Sequence, residues 1–179
     1  MRLVVTGPTG AGKTTLIRSI CQDVVDTEKR PTDEVAQQKR RTTVALDFGD
    51  FKLEPNLIIH LYGTPGQVRF SFMWEMLIQK ARGYILLVAA NRPQQFLEAR
   101  RILQFMNEQV AIPMIIGVTH IDCVDAWNRR QLALALGYLN PQHCPPFVPL
   151  NATQKADTRK AMTILVQHVR RDERHQRTK

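Results

Sequence analysis

A glycine-rich segment near the start of the chain has the residue types that bind phosphate groups. It reads Gly-Pro-Thr-Gly-Ala-Gly-Lys-Thr over residues 7–14, and it follows a strand-like run at Arg2–Thr6. Glycines let consecutive backbone N–H groups face phosphate oxygens, a following helix N-terminus favours anions, lysine adds a cation, and a threonine hydroxyl suits Mg²⁺. The pattern predicts a nucleotide-binding phosphate loop. Its candidate contacts are Gly7, Thr9, Gly10, Ala11, Gly12, Lys13, Thr14 and Thr15.

A carboxylate further along the chain could distinguish one nucleotide base from another. Asp122 follows Thr119 and His120 where a strand-like run gives way to a loop. A carboxylate accepts two hydrogen bonds from the N1–H and the amine of guanine, an arrangement that adenine does not offer. This favours guanine, and the alternative is that Asp122 caps a helix beginning near Asp125. A second candidate base contact is the segment Asn151, Ala152 and Thr153, where the N–H of Ala152 could bind guanine O6.

Two further segments could act at the terminal phosphate. Gly66 and Gln67 come directly after a strand-like run; the glycine N–H could bind a phosphate, and the glutamine amide could orient an attacking water. Thr43 lies two residues beyond the polar, non-periodic segment Val24–Arg41, which we interpret as a long loop. Its hydroxyl could be a second Mg²⁺ ligand. The candidate catalytic residues are therefore Lys13, Thr43 and Gln67, and the candidate metal ligands are Thr14 and Thr43.

Strand-like runs alternate with segments of helical length, which indicates how these residues are positioned. The strand-like runs are Arg2–Thr6, Leu57–Leu61, Tyr84–Ala90, Met114–Val118 and Phe147–Leu150. Helical spacing occurs at Thr14–Gln22, Ser71–Lys80, Gln94–Glu108, Asp125–Leu136 and Ala156–Val169. The alternation predicts an α/β fold with a mostly parallel sheet and helices on both faces. A short turn joins Thr43–Leu53 to Leu57, which favours one antiparallel strand at the sheet edge.

Composition excludes several other classes of protein. The chain has 179 residues, of which 44% are hydrophobic, and this suits one globular domain and not a disordered chain. The longest apolar run, Tyr84–Ala90, is shorter than the roughly 20 residues of a membrane-spanning helix. There is no signal-peptide core or lipidation motif, and the three cysteines have no paired spacing. We expect a cytoplasmic protein with free thiols.

Positive charge exceeds negative charge, with 25 Lys and Arg against 16 Asp and Glu. It is concentrated at residues 39–41, 100–101, 129–130 and in a basic C-terminal tail at 171–179, which follows a single domain at 1–170. We interpret these clusters as solvated surface. No aromatic residues or recognition motif accompany them, so no specific nucleic acid is expected. The alternative is peripheral contact of the tail with an anionic membrane.

The phosphate loop, Gly66-Gln67 and Asp122 occur in the order and spacing of Ras-like small GTPases, and the chain resembles this family from Arg2 to about Val169. More narrowly, it resembles the bacterial and archaeal group that includes the gliding-polarity GTPase MglA and the GTPases associated with roadblock-domain proteins. The resemblance implies a six-stranded P-loop NTPase fold, bound GTP or GDP with Mg²⁺, and slow, partner-stimulated GTP hydrolysis. It also implies two switch segments, at Val24–Thr43 and from Gly63 to about Trp74, that signal to protein regulators or effectors, with a roadblock-domain dimer as the nominated partner.

The chain departs from the Ras-like pattern in three places. Gly63 stands where most members have an aspartate that holds Mg²⁺ through water, and Thr119-His120 replaces Asn-Lys in the guanine motif. Arg41, or its neighbour Arg40, could act as an arginine finger in cis; Arg69 is a rival, and a solvated loop arginine is the alternative. These departures keep two other functions open, namely a nucleotide-binding interaction module with little hydrolysis and a P-loop ATPase.

The segment after Gln67 is apolar nearly all round. Its apolar residues are Phe70, Phe72, Met73, Trp74, Met76 and Leu77. A helix that is buried on one face needs only about half of such a set in the core. We expect the remainder to form a surface for a protein partner, since aromatic and methionine side chains are enriched at interfaces.

Overall fold

The computed structural model describes residues 1–22, 24–26, 47–140, 142 and 144–177. The strands are β1 (Arg2–Thr6), β2 (Val24–Asp26), β3 (Asp47–Glu54), β4 (Leu57–Gly63), β5 (Gly83–Ala89), β6 (Met114–Thr119) and β7 (Phe147–Pro149). The helices are α1 (Lys13–Ile20), α2 (Ser71–Ile78), α3 (Phe96–Gln109), α4 (Arg129–Ala135) and α5 (Lys155–Arg177). Strands and helices alternate as the sequence predicts, except that, among the described residues, β2, β3 and β4 follow one another directly.

The strands form one sheet in the order β2-β3-β4-β1-β5-β6-β7. The strands from β4 to β7 in this order pair in parallel, and β3 pairs antiparallel with β4, which confirms the mostly parallel α/β fold. The sheet has seven strands where the resemblance implies six, and one further detail differs from the prediction. The antiparallel strand β3 is not at the edge, because the short β2 pairs with its outer side. β2 lies inside the segment Val24–Arg41 that was expected to be a loop; it satisfies backbone groups that an edge strand would leave unpaired.

Helices cover both faces of the sheet because alternate side chains of each strand point to opposite faces. Leu3 and Val5 of β1 belong to the core that includes buried residues of α1 and α5. Val4 belongs to the other core, with residues of α2, α3 and α4. The inner strand β5 is buried along its whole length, as expected for a parallel strand covered on both faces.

Helix α4 begins later than predicted. Asn128 caps it: its Oδ1 accepts a hydrogen bond from the N–H of Gln131 at 3.0 Å, and Gln131 Oε1 accepts one from the N–H of Asn128 at 2.9 Å. This reciprocal capping box fixes the first helical residue at Arg129, not near Asp125. The residues between Asp122 and Asn128 are therefore left as a loop.

Helix α5 extends further than predicted, to Arg177, so residues 171–177 of the expected basic tail are helical. Arg170 donates two hydrogen bonds, of 2.9 and 2.8 Å, to the carboxylate of Glu54 at the end of β3. This pair holds the last turns of the helix against the sheet. Among the described residues, no helix combines the length and apolar character needed to span a bilayer. A cytoplasmic location stays a prediction.

The parallel arrangement brings the carboxyl ends of β1, β4, β5, β6 and β7 to one edge of the sheet. The loops that follow these strands carry the segments singled out from the sequence. In parallel α/β sheets, ligands bind at this edge. The fold therefore positions the phosphate loop, Gly66-Gln67, Asp122 and Asn151 around one location.

Candidate functional site

The phosphate loop, residues 7–14, follows a path that glycine permits. Gly7 has a φ of 140°, and a Cβ atom there would lie 2.3 Å from the carbonyl oxygen of Leu87. Gly12 has a φ of 102° and directly precedes α1. No described side chain caps this end of α1. Its first N–H groups are therefore available for an anion, as in other phosphate-binding helix termini.

Lys13 lies across the loop with its ammonium group turned inward. Its Nζ donates hydrogen bonds of 2.8 Å to the carbonyl oxygens of Gly7 and Pro8. Burial lowers the pKa of Lys13 from 10.5 to about 8, and the carboxylates of Asp47 and Glu98 oppose this shift. The structure thus places the predicted cation in the loop, where added negative charge would raise its pKa again.

Asp47, to which the sequence interpretation gave no role, supplies a carboxylate beside Thr14. The Thr14 hydroxyl donates a 2.5 Å hydrogen bond to Asp47 Oδ2. Asp47 begins β3 and is paired with Gly63 of β4. A Cβ atom on Gly63 would lie 3.1 Å from the Cβ and 3.4 Å from Oδ2 of Asp47. The carboxylate missing at Gly63 is therefore present in nearly the same space, supplied by the neighbouring antiparallel strand.

The pair of Thr14 and Asp47 fits the requirements of Mg²⁺, which prefers hard oxygen ligands and takes most of them from phosphates and water. A hydroxyl and a carboxylate 2.5 Å apart supply two such oxygens. Within the described parts of the chain, no group of three or more His, Cys, Asp or Glu side chains could hold a metal by itself. The donor set suits a metal shared with a phosphate ligand. Thr43, the other predicted ligand, lies outside the described residues.

The segment after β4 is fastened against the phosphate loop. The hydroxyl of buried Thr64 donates a 2.8 Å hydrogen bond to that of Thr6, and the indole N–H of Trp74 donates one of 2.7 Å to the Pro65 carbonyl. A Cβ atom on Gly66 would lie 2.6 Å from the backbone nitrogen of Thr9 and 2.9 Å from Lys13 Nζ. Gly66 is thus packed against the loop, and its contact with a terminal phosphate stays a prediction.

The two residues of this segment that could assist hydrolysis, Gln67 and Arg69, both lie at the surface. Gln67 follows Gly66 and has an exposed side chain. Arg69 is exposed too, with its guanidinium 4.7 Å from the ring centre of Phe70. This contact does not support Arg69 as an arginine finger. Arg40 and Arg41 lie outside the described residues, and their predicted role stays a prediction.

Thr119 connects the base-reading segment, residues 119–122, to the phosphate loop. Its buried hydroxyl donates a 3.1 Å hydrogen bond to the carbonyl oxygen of Ala11. His120 has a φ of 56°, a left-handed conformation that turns the chain after β6. Asp122 is exposed and lines a cleft of about 680 Å³ together with Gly12 and Thr15. Because α4 begins seven residues later with its own cap, Asp122 does not cap this helix.

The predicted second base contact, at Asn151, Ala152 and Thr153, lines the same cleft. Asn151 Oδ1 accepts hydrogen bonds from the N–H and the hydroxyl of Thr153, at 3.0 and 2.8 Å. Asp157, which the sequence did not single out, accepts a 3.0 Å bond from the N–H of Asn151. The Cβ of Ala152 would be 3.3 Å from a Cβ on Gly12. The loop is therefore held beside the phosphate loop.

The loop between β5 and α3 also reaches the site, although the sequence gave no sign of it. Gln95 Nε2 donates a 2.9 Å hydrogen bond to the Thr9 carbonyl, and Arg92 donates a 3.4 Å bond to the Gly10 carbonyl. No motif marks these residues. Their position follows only from the pairing of β5 with β1.

Comparison with known proteins identifies the family. The sequence profile of a family described as "conserved hypothetical ATP binding protein" matches residues 21–171. The chain belongs to this family. The matched range begins after the phosphate loop, so the loop is independent evidence for a nucleotide site.

Two individual proteins are similar to this chain over part of its length. An uncharacterized protein from Methanocaldococcus jannaschii is 29% identical over 125 residues, which cover 70% of this chain and 74% of that protein. The Ras-related protein Rab-32C of Dictyostelium discoideum is 27% identical over 103 residues, or 56% of this chain and 41% of that protein.

A solved structure shows the fold. The Arl6 BBS3 small GTPase from Trypanosoma brucei, solved with the nucleotide analogue GppNp, superposes with a TM-score of 0.72 at 16% identity, covering 96% of this chain and 98% of that one. The chain therefore has a small-GTPase-like fold and belongs to a nucleotide-binding family. The narrower resemblance to the MglA group stays a prediction.

Proposed function

We propose that this protein is a guanine-nucleotide switch that binds GTP and GDP with Mg²⁺ and hydrolyses GTP slowly. The observation that carries the proposal is the contact of Gly66 with the phosphate loop at Thr9 and Lys13, at the opposite end of the site from Asp122. A nucleotide spanning these two ends would have its base read at one and its terminal phosphate sensed at the other.

Asp122 supports guanine as the base. Its exposed carboxylate lines the cleft, and its position in a loop leaves both oxygens available to the N1–H and amine of guanine. Thr119 takes over one task of the asparagine that usually opens the motif, since its hydroxyl binds the Ala11 carbonyl and joins the two loops. The altered residues at 119 and 120 are therefore compatible with guanine recognition.

Hydrolysis would depend on positioning and charge. Water would attack the γ-phosphorus as the bond to the bridging oxygen breaks, which leaves GDP and phosphate. Lys13 and the loop N–H groups would bind the phosphates, and exposed Gln67 would orient the water. Thr14 and Asp47 would hold Mg²⁺, which neutralises phosphate charge when bound. Without an arginine finger, the rate should be on the order of 10⁻⁴ to 10⁻² per second.

The link from nucleotide to partner would pass through α2. Gly66 contacts the loop, and its neighbour Pro65 is bonded to Trp74 of this helix. Phe72 and Met76 of α2 are 59% and 57% exposed and one helical turn apart. They form the surface on which we place a protein regulator or effector, with a roadblock-domain dimer as the first candidate. Trp74, Leu77 and Ile78 face the core.

Competition binding and phosphate release test the proposal. The purified protein should bind fluorescent GDP in competition with GTP and GDP but not with ADP or ATP. Single-turnover release of phosphate from GTP should require Mg²⁺ and should fall in Gln67→Leu. Arg69→Leu, two residues away and stacked on Phe70, is the matched control and should leave the rate unchanged. Equal affinity for GDP and ADP would contradict the role of Asp122.

A P-loop ATPase is the second candidate. The description of the matching family favours it, as does the absence of the usual Asn-Lys pair before Asp122. The same competition assay decides between the two, since an ATPase binds ADP more tightly than GDP. A nucleotide-binding module without hydrolysis would bind GDP but release no phosphate, even with a partner present.

A further inference from the structure

Arg92 reaches the nucleotide cleft from a loop that contributes no recognised motif. One of its terminal nitrogens donates a 3.4 Å hydrogen bond to the carbonyl oxygen of Gly10 in the phosphate loop. The same nitrogen lies 2.5 Å from where a Cβ atom on Gly10 would be, and Gly10 has a φ of 77°. The guanidinium is therefore packed against Gly10 of the phosphate loop, at a point where any larger side chain would displace it.

The same side chain lines the cleft that contains the base-reading segment. Thr119, His120 and Asp122 share this cleft with Arg92. His120 stands where the guanine motif usually has lysine, so this segment brings no permanent cation. Of the described residues that line the cleft, Arg92 is the one Lys or Arg side chain, and it is accompanied by the carboxylates of Asp122 and Asp157.

The loop that carries Arg92 is hydrogen-bonded both to the phosphate loop and to the residue that follows Asp122. Its Gln95 binds the Thr9 carbonyl at 2.9 Å, and Asn91 Nδ2 donates a 3.4 Å bond to the sulfur of Cys123, next to Asp122. The N–H of Arg92 itself is bonded to the Ala89 carbonyl at 3.1 Å. Arg92 is thus presented by a loop that touches both the phosphate-binding and the base-reading segments.

We propose that Arg92 is a nucleotide-positioning residue, which supplies from the β5–α3 loop the cation that the guanine motif lacks at His120. The inference rests on the proposed function. One N–H of the guanidinium holds the Gly10 peptide, which keeps the neighbouring N–H groups of the loop in place for phosphate. The charge also stabilises an anionic ligand in a cleft whose other charged walls are acidic. Its loss should act mainly on nucleotide release.

Three variants test this assignment. Arg92→Gln removes the charge, Arg92→Lys keeps it, and Arg101→Gln removes an exposed arginine of α3 that does not line the cleft. Stopped-flow displacement of fluorescent GDP should show release about tenfold faster in Arg92→Gln and within about threefold of wild type in Arg92→Lys. Arg101→Gln should match the wild type. The affinity of Arg92→Gln should also depend less steeply on ionic strength, because one attractive charge is gone.

The outcomes separate this inference from the proposed function. If the wild type binds GDP and Arg92→Gln releases it at the rate of Arg101→Gln, Arg92 has no positioning role and the guanine switch stands. If Arg92→Lys is as defective as Arg92→Gln and both melt at lower temperature without nucleotide, Arg92 is structural and the inference fails. If the wild type binds ADP instead, the proposed function fails and the same variants measured with ADP still test Arg92. Binding of neither nucleotide would overturn both.

Discussion

Replacement of Asp47 by asparagine should weaken the hold of this protein on Mg²⁺ without changing its fold. The substitution keeps the size of the side chain and an oxygen that can accept the Thr14 hydrogen bond, which is 2.5 Å long. It removes the negative charge. Because Gly63 on the paired strand carries no carboxylate, no neighbouring side chain at this register compensates for the loss.

The expected size of the effect follows from the kind of contact. The substitution keeps the hydrogen bond and removes the charge, and loss of a group that supports a metal site costs about 10- to 100-fold in metal affinity. Asp47→Asn should therefore raise the Mg²⁺ concentration that half-saturates GDP retention by about 10- to 100-fold. The loss of charge also removes one of the effects that keep Lys13 protonated.

The assay is the release of fluorescent GDP across a Mg²⁺ titration. Asp50→Asn is the matched control, since Asp50 lies on the same strand but is paired with His60 at 2.7 Å, away from the loop. A second variant moves the carboxylate across the strand pair, with Asp47→Gly and Gly63→Asp combined. The 3.1 Å separation of the two Cβ positions predicts that this double variant recovers most of the Mg²⁺ dependence.

The reasoning about Asp47 would be refuted by an unchanged Mg²⁺ titration in Asp47→Asn, provided that the wild type is Mg²⁺-dependent. An equal loss in Asp50→Asn would also refute it, because the effect would then belong to the general charge of β3. Failure of the double variant with retained folding would show that the position of the carboxylate, and not only its presence, is decisive.

Three further predictions concern other parts of the site. Gly66→Ala places a methyl group 2.6 Å from the backbone nitrogen of Thr9. GTP hydrolysis should therefore fall about tenfold or more in a phosphate-release assay, while the affinity for GDP stays unchanged. Equal losses of hydrolysis and GDP affinity would contradict this prediction. Lys13 has a pKa of about 8, and bound phosphate should raise it. Binding above pH 8 should therefore take up a proton, and the Kd for GDP should increase by up to about tenfold per pH unit above 8. Calorimetry in buffers of different ionisation enthalpy measures this uptake, and a flat profile would disprove it. With Trp127→Phe, Trp74 becomes the remaining tryptophan, and its emission should differ between GDP and a GTP analogue, since its indole is bonded to Pro65 beside Gly66; identical spectra would exclude the coupling.

Local patterns in the sequence were enough to predict the phosphate loop and most of the sheet. Gly7, Gly12 and Lys13 act through backbone geometry and charge within a few residues. The sequence motif is therefore sufficient to predict the local structure of the loop. The continuous apolar runs of β5 and β6 likewise indicate strands buried on both faces. The helix boundaries were less predictable. The start of α4 depends on the reciprocal capping of Asn128 and Gln131. Other polar residues nearby, such as Asp122 and Asp125, are equally plausible caps in the sequence.

The sequence by itself determined the strand, the glycine-rich loop and the helix that make up the predicted phosphate site, because each of these is specified by neighbouring residues. Tertiary structure alone decided which distant side chains complete the site. Asp47 is 33 residues from Thr14 along the chain, and Arg92 is 82 residues from Gly10. Their contacts arise from the pairing of β3 with β4 and of β1 with β5. Strand register sets such contacts, and no spacing between the residues in the sequence encodes it.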